Sequence, residues 1–284
     1  MGTTVGGSKR AYLCAPLAIF VWLAMPSLAL GQDLKSKLPD IKWQDGPTVG
    51  SLGTLAEVRV PEGYVFAGGD DTRRIMEAMQ NPPTGTELGF VSPLRPTWFV
   101  VFEFDEIGYV KDDEKNSLDA DALLSSIQKG NEAVNQERKK RGWSTLTIVG
   151  WEVPPAYNPD TNNLEWAIKG RSDNGFVVNH NTRVLGRKGV MKTTLVTDPF
   201  RLKQVLPEYR TLLASFNYTG GNKYAEFRRG DKIAQYGLAA LIVGGAGAVA
   251  VKSGLFKWLW KVLVVAALAV AGLLKGLFGR KREA

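Results

Sequence analysis

The chain has 284 residues, enough for one large or two small domains, and 44% of them are hydrophobic, which is typical of a folded protein. Its formal net charge is +8, but residues 1–31 hold two basic and no acidic residues, and residues 252–284 hold seven basic and one acidic, so residues 32–251 are neutral overall. A nucleic-acid-binding surface is therefore not predicted, because binding to phosphates requires clustered Lys and Arg in the folded part.

The N-terminus has the pattern of a secretory signal. Lys9 and Arg10 precede an apolar run that ends at Pro26, and small residues follow up to position 31, which is the arrangement of a cleaved signal peptide. We predict a signal peptide over residues 1–31; an uncleaved anchor helix is the alternative. The only cysteine, Cys14, lies in this run, so the mature chain has no disulfide, thiol nucleophile or cysteine metal ligand.

The first half of the predicted domain mixes strands and helices. After a turn-rich arm, four elements are expected in chain order: a hairpin of residues 58–60 and 64–66, a helix beginning at Asp70 or Asp71 and ending before Pro82, a strand over 98–104, and a long helix from Ser117 or Asp119 to about residue 141. Apolar residues at spacings of three and four indicate the helices, and alternation indicates the strand.

The second half has the pattern of an antiparallel meander. Strands are predicted over 145–153, 164–170, 176–185 and 190–196, and a helix follows from Asp198-Pro199 to about residue 216. Short turns between alternating strands require antiparallel neighbours. The predicted fold class is therefore α+β: an antiparallel meander sheet covered by helices, over residues 32–230, followed by one or two C-terminal membrane helices.

Two apolar segments near the C-terminus are predicted to associate with a membrane. Residues 233–251 are nearly all apolar or small, long enough for most of a bilayer core. For residues 258–278 two readings remain open. Trp258 and Trp260 resemble an interfacial aromatic belt around a second span, whereas Lys257, Lys261 and Lys275 fall on one helical face, which suits a helix lying on the membrane surface.

Five segments carry a family resemblance: GWEVPPAY at 150–157, LEWA at 164–167, VNHNTRVLGRKG at 178–189, YAEF at 224–227 and DKIAQYGL at 231–238. They resemble the membrane-anchored bacterial proteins catalogued as domain of unknown function 2167. The resemblance covers roughly residues 40–280 and implies a fold and a location, but no chemistry.

The sequence offers few residues for catalysis. The only histidine, His180, lies in an alternating strand and is expected to be a packed residue, so a multi-histidine metal site is excluded. Two carboxylate pairs, Glu103 with Asp105 and Glu152 with Glu165, and nearby aromatic residues keep a glycan hydrolase open as an alternative. No cofactor and no metal are predicted.

One strand face is a candidate binding surface. Asn179, Asn181 and Arg183 alternate along the strand at 176–185, and Arg187 follows in the next turn. Two carboxamides and a guanidinium projecting together suit a carboxylate, phosphate or sugar. An ordinary solvated sheet face and an internal ladder of salt bridges are the alternatives.

These observations predict a membrane-anchored extracytoplasmic protein that acts as a binding, assembly or regulatory module. Its expected location is the inner (cytoplasmic) membrane, with the soluble domain facing the periplasm or exterior. The expected partners are the membrane and an envelope protein, with no nucleic acid. The alternatives are an extracytoplasmic hydrolase acting on glycans and a membrane subunit of a larger envelope complex.

Overall fold

A computed structural model of the chain describes residues 34–38, 40–173 and 175–244. The signal peptide predicted over 1–31 and the second membrane helix over 258–278 lie outside these residues. The described helices are α1 (Leu34–Lys37), α2 (Gly69–Ala78), α3 (Ala120–Lys140), α4 (Leu202–Ala214) and α5 (Leu238–Val243), with short 3-10 turns at Pro199–Arg201 and Tyr224–Glu226. The strands are β1 (Gln44–Asp45), β2 (Thr48–Leu52), β3 (Ala56–Val60), β4 (Tyr64–Gly68), β5 (Glu87–Pro93), β6 (Trp98–Asp105), β7 (Thr147–Asn158), β8 (Asn163–Ser172), β9 (Gly175–Leu185), β10 (Val190–Thr197) and β11 (Asn217–Tyr218).

The centre of the fold is an eight-stranded sheet in the order β1-β4-β5-β6-β10-β9-β8-β7, and every neighbouring pair in it is antiparallel. The predicted meander is confirmed as β7 to β10. Its tight turns set the register: Val190 pairs with Leu185 across one turn, and Asn158 pairs with Asn163 across another. The predicted α+β class is therefore correct for the described residues.

A second sheet, in the order β11-β3-β2, lies against the first. The hairpin predicted between residues 58–60 and 64–66 is wrong, because β3 pairs with β2 and β11 while β4 pairs with β1 and β5. The two sheets pack closely at Phe66: a Cβ at Gly50 would lie 2.6 Å from its ring. Apolar packing of β3 onto the main sheet thus takes the place of pairing between β3 and β4.

The three predicted helices are present, although α2 begins at Gly69, with Gly68 at its N-cap and no side-chain cap, and not at Asp70 or Asp71. In α3 the carboxylate of Asp119 accepts the backbone N–H of Ala122 at 3.0 Å, as an N-cap does, and the buried stripe includes Leu123, Ile127 and Val134. Asp198 likewise accepts the N–H of Phe200 at 2.7 Å, at the 3-10 turn that leads into α4. The side chains of Asp119 and Asp198 therefore fix where α3 and the turn before α4 begin.

The helices cover the main sheet on both faces. One apolar cluster lies on the side of α2, α3 and α5, and a second lies under α4 and the smaller sheet. The middle strands β6, β10 and β9 are consequently buried along most of their length. This three-layer arrangement determines which side chains of the sheet can reach solvent.

The segment predicted as a membrane helix over 233–251 is only partly described. Residues 233–237 are not helical, and α5 begins at Leu238 and ends before Gly244, which has φ 78°. Its apolar side chains are buried in the core beside α3. Within the described ranges, no helix has both the length and the apolar character needed to cross a bilayer. The first part of this apolar segment therefore packs into the core of the domain.

A carboxylate holds α5 in place. Glu114 Oε2 accepts the backbone N–H of Ala239 at 3.1 Å, in the first turn of the helix. A Cβ at Gly237 would lie 2.6 Å from the same oxygen, so only glycine fits there without displacing the carboxylate. Glu114 therefore acts as an N-terminal cap of α5.

Truncation tests the contribution of α5. A chain of residues 32–237 should unfold at a clearly lower urea midpoint than one of residues 32–244, because it loses Leu238, Leu241 and Ile242 from the core, each worth about 1.5–3 kcal/mol of burial. Circular dichroism during urea unfolding measures both midpoints. Equal midpoints would show that α5 is dispensable to the core.

Candidate functional site

The predicted binding surface is oriented as expected but is not exposed. Asn179, Asn181 and Arg183 share one side of β9, yet their residues are only 1%, 2% and 5% exposed. The alternative of an ordinary solvated sheet face is wrong, because antiparallel sheets with one wet side lack a helical layer on that side, whereas this sheet is covered on both. A binding role for these residues stays a prediction, and a partner would have to displace covering elements to reach them.

The amides of β9 bond within the sheet. The Asn181 side-chain N–H donates to the carbonyl of Asn179 at 3.0 Å, and Thr194 on β10 donates its hydroxyl to Asn181 Oδ1 at 3.3 Å. Buried polar groups require such partners. These bonds leave Asn181 engaged by its own sheet.

Arg183 is a buried guanidinium packed on an aromatic ring. Its Cζ lies 4.7 Å from the centre of the Trp166 ring, and the hydrogen bond to the carbonyl of Thr182 is long, at 3.5 Å. Burial lowers the pKa of Arg183 to about 10, while Glu103 and Asp105 act in the opposite direction. The guanidinium is therefore stabilised by a ring and by more distant carboxylates.

Arg183 belongs to a row of charged residues across four strands. Register places Glu87 beside Glu103, Glu103 beside Lys192, and Lys192 beside Arg183. We call these four residues the ionic ladder. It corresponds to the internal-ladder alternative left open by the sequence, although Lys192 was not foreseen. A lone lysine in the otherwise uncharged strand 190–197 was the available signal.

Lys192 is the central cation of the ionic ladder. Its Nζ lies 3.2 Å from Glu103 Oε1 and 3.1 Å from Asp105 Oδ1. Burial acts to raise the pKa of Glu103, but Lys192 and the hydroxyl of Thr84 outweigh it, so that pKa is lowered. Burial acts to lower the pKa of Lys192, and Glu103 and Asp105 outweigh it in the same way. Glu103 and Lys192 are thus both charged at neutral pH.

Glu87 is held by a loop instead of a cation. Its carboxylate accepts the backbone N–H groups of Thr84 at 2.5 Å and Gly85 at 2.8 Å. The Thr84 hydroxyl lies 2.9 Å from both Glu87 Oε1 and Glu103 Oε1, so it can donate its single proton to only one of them. The loop therefore separates two neighbouring carboxylates that would otherwise repel each other.

Arg187, predicted at an exposed turn, forms an ion pair across the chain. Its Nε and Nη2 donate to the two carboxylate oxygens of Asp231 at 2.7 and 2.8 Å. These hydrogen bonds are the largest cause that lowers the pKa of Asp231 to about 2. The guanidinium connects the β9–β10 turn to the segment that leads into α5.

Two glycines of the turn that holds Arg187 allow neighbouring groups to pack closely against it. A Cβ at Gly186 would lie 2.8 Å from the Tyr218 ring, and one at Gly189 would lie 2.1 Å from the carbonyl oxygen of Asp105. Tyr218 in turn donates its hydroxyl to Val184 and accepts the N–H of Met191. The LGRKG segment is therefore a packing feature of the sheet end.

Of the two carboxylate pairs considered for glycan hydrolysis, Glu103 with Asp105 does not match that chemistry. They share one lysine, and the lowered pKa of Glu103 is opposite to what a general acid needs. In the second pair, burial raises the pKa of Glu165, which is the direction that a general acid needs. Trp98 and Trp166 are fully buried, so neither can stack on a sugar.

His180 is a packed neutral residue, as predicted. It is 3% exposed and lies edge-on to Tyr209 at 5.5 Å between ring centres. Burial, with a contribution from Arg210, lowers its pKa to about 4. In the part of the chain that the structure describes, no cluster of three or more His, Cys, Asp or Glu residues could hold a metal ion.

The concave surface of the domain lies elsewhere, along α4. A cleft of about 180 Å³ is lined by Tyr64, Pro93, Thr97, Trp98, Arg201, Gln204, Val205 and Glu208. A larger cleft of about 520 Å³ is lined by Pro47, Thr48, Val49, Arg59, Val60, Pro61, Thr211, Leu212 and Ser215. The residues from α4 and the preceding turn recur at spacings of three and four, so both clefts lie along one side of the helix. We call them together the α4 furrow.

Comparison with known proteins gives a family but no activity. Residues 44–275 match the family model described as "Protein of unknown function (DUF2167)". The chain belongs to this family. No curated protein matches it. The solution structure of cyanobacterial PsbP (CyanoP) from Synechocystis sp. PCC 6803 is similar, with a TM-score of 0.38, 12% identity, and coverage of 63% of this chain and 92% of that one. At that identity the similarity assigns no function.

The family segments contribute mainly to packing. Arg187 and Asp231 come from two of them and form the ion pair described above. Tyr224, from a third, stacks on Tyr109 at 4.5 Å between ring centres and donates its hydroxyl to the carbonyl of Val110. These family residues therefore join the end of the main sheet to the approach to α5.

Replacing Lys192 tests the ionic ladder. Lys192→Met should lower the free energy of unfolding by about 3–5 kcal/mol, because it leaves the buried Glu103 carboxylate without its cation. Lys169→Met, on β8 two strands away, replaces a partly buried lysine that packs on the Phe176 ring. It is the matched control and should cost about 1 kcal/mol or less. Urea unfolding measures both. A small loss in Lys192→Met, comparable with that in Lys169→Met, would mean that water already screens the ladder.

Acid sensitivity tests the Arg187–Asp231 pair. A lowered folded pKa means that the unfolded chain binds the proton more readily, so the stabilisation is present above the ordinary value of 3.8 and is lost as pH falls toward about 2. Arg187→Gln should therefore lower the melting midpoint at neutral pH and reduce the further fall in acid. Calorimetry from neutral pH downward measures both effects, and parallel pH profiles for the two proteins would contradict the pairing.

Proposed function

We propose that this chain is an exported, membrane-tethered binding or assembly module that receives an extended segment of an envelope protein in the α4 furrow. The signal pattern at residues 1–31 and the apolar residues after Gly244 support export and tethering. The observation that carries the binding role is the alignment of two clefts along one side of α4.

The furrow has the length of a short extended peptide. From Arg201 to Ser215 the helix rises roughly 21 Å at about 1.5 Å per residue. An extended chain advances about 3.3 Å per residue, so about six residues would fill it. Two clefts in line along one helix favour an extended polypeptide over a compact small molecule.

The two ends of the furrow differ in polarity. Around Val49, Val60 and Leu212 the lining is largely apolar, and Val49 is 52% exposed. Around Arg201, Gln204 and Glu208 it is polar. An apolar anchor beside a polar rim is the usual composition of a protein interface. The furrow thus suits a segment with apolar residues at one end and polar residues at the other.

A hydrogen bond joins two residues that line the smaller cleft. Tyr64 donates its hydroxyl to Glu208 Oε2 at 2.7 Å, and its ring packs on Trp98 at 5.6 Å between centres. Burial is the largest cause that raises the pKa of Tyr64, and Glu208 adds to it. The phenol therefore stays protonated and fixes the distance between β4 and α4, which keeps the furrow preformed.

Site-specific photocrosslinking tests the furrow. A photoreactive p-benzoylphenylalanine at Val49 should form an adduct with one envelope protein in intact bacterial cells. The same residue at Val149 is the matched control, because Val149 is 50% exposed but lies on β7, away from the furrow. The Val149 variant should form no such adduct.

A substitution that fills the furrow distinguishes specific binding from nonspecific crosslinking. Thr211→Trp, at an exposed position in the furrow lining, should abolish the Val49 adduct while leaving the melting midpoint within a few degrees, because exposed substitutions usually change stability by about 0.5 kcal/mol or less. An adduct that persists in the folded Thr211→Trp chain, or equal adducts at Val49 and Val149, would contradict the proposal.

A further inference from the structure

One end of the main sheet presents two exposed phenylalanines. Phe176 opens β9 and pairs with Arg171 across the β8–β9 turn. Phe200 lies in the 3-10 turn after β10, and that turn lies against β9, whose Val178 pairs with Thr197. Register therefore places both rings at the same end of the sheet.

Their exposure is unusual for residues of this type. Phe200 is 92% exposed and Phe176 is 47% exposed. Isolated exposed apolar residues are common, but exposed rings that share one end of a domain often mark a contact surface. Neither ring contributes to the two apolar clusters of the core.

Basic residues surround the two rings. The Lys169 ammonium lies 5.1 Å from the centre of the Phe176 ring. Arg171 and Lys203 are exposed, and Arg201 follows Phe200 directly. The acidic residues in the same two turns are Asp173 and Asp198, and Asp198 already accepts the N–H of Phe200. Four basic residues against two acidic ones leave this end positive in a domain that is neutral overall.

We propose that this end of the sheet, which we call the aromatic end, rests on the surface of an anionic lipid bilayer. Phenylalanine rings enter the interfacial region of a bilayer, and Lys and Arg bind the phosphates around them. The inference rests on the proposed membrane tether, which keeps the domain near lipid. Because Arg201 also lines the α4 furrow, this orientation brings the polar end of the furrow beside the headgroups.

Fluorescent labels at two turns test the orientation. On a full-length Cys14→Ala chain, Asp173→Cys places a label in the β8–β9 turn and Asp160→Cys places one in the β7–β8 turn. Both positions are exposed, both changes remove one negative charge, and the strand Asn163–Ser172 separates them, a distance of roughly 33 Å. The chains are reconstituted into vesicles of phosphatidylcholine with or without phosphatidylglycerol.

We expect the label at 173, at the aromatic end, to contact lipid and the label at 160 to face water. In phosphatidylglycerol vesicles, lipid-borne doxyl groups should quench the label at 173 and iodide should not, whereas the label at 160 should behave in the opposite way. Adding Phe176→Ser and Phe200→Ser to the Asp173→Cys chain should abolish the lipid quenching. Both phenylalanines are exposed, so the melting midpoint of that variant should not change.

Flotation of the vesicles distinguishes lipid binding by the aromatic end from attachment through the proposed membrane tether. Flotation with both labels open to iodide would overturn the aromatic end and leave the tether standing. Salt-sensitive flotation with phosphatidylglycerol alone would support the aromatic end and overturn the tether, and no flotation would overturn both. A label at 173 that is shielded from iodide without lipid quenching would assign this end to a second copy or another protein.

Discussion

The main sheet is covered on both faces, so its central strands have little contact with water and the charged residues there need partners inside the protein. Glu103 and Lys192 satisfy this constraint across β6 and β10, and Asp105 adds a second carboxylate to the same lysine. A buried charge without such a partner costs several kcal/mol. The register of the central strands therefore depends on a pairing of charges as well as on apolar packing.

Local patterns predicted the elements well. The meander followed from short turns between alternating strands, and α3 followed from Asp119 and its apolar stripe. The exposure of Asn179, Asn181 and Arg183 could not be predicted in the same way, because alternation states which residues share a side and not what covers that side. The covering layer includes α5 and α3, which are far from β9 in sequence.

Sequence patterns could not predict features that combine residues from distant segments. The α4 furrow combines residues near 47–64, 93–98 and 201–215, and no spacing along the chain connects them. The apolar pattern at 233–251 predicts one membrane helix, because hydropathy does not distinguish a lipid-facing residue from a core residue, whereas residues 238–243 pack in the core. Gly237 and Gly244 flank the described helix α5, and the need for a glycine at 237 depends on Glu114 from another segment.

The dependence of the covered sheet on α5 is most directly measured by hydrogen exchange of the full-length chain in mild detergent and in lipid vesicles. Because α5 is packed in the core, its amides from Gly244 back to Ala240 should exchange about as slowly as those of β10 in both media. Protection of these amides that appears only in vesicles would show that lipid, and not the sheet, covers α5. Rapid exchange in both media would show that the core ends before this helix.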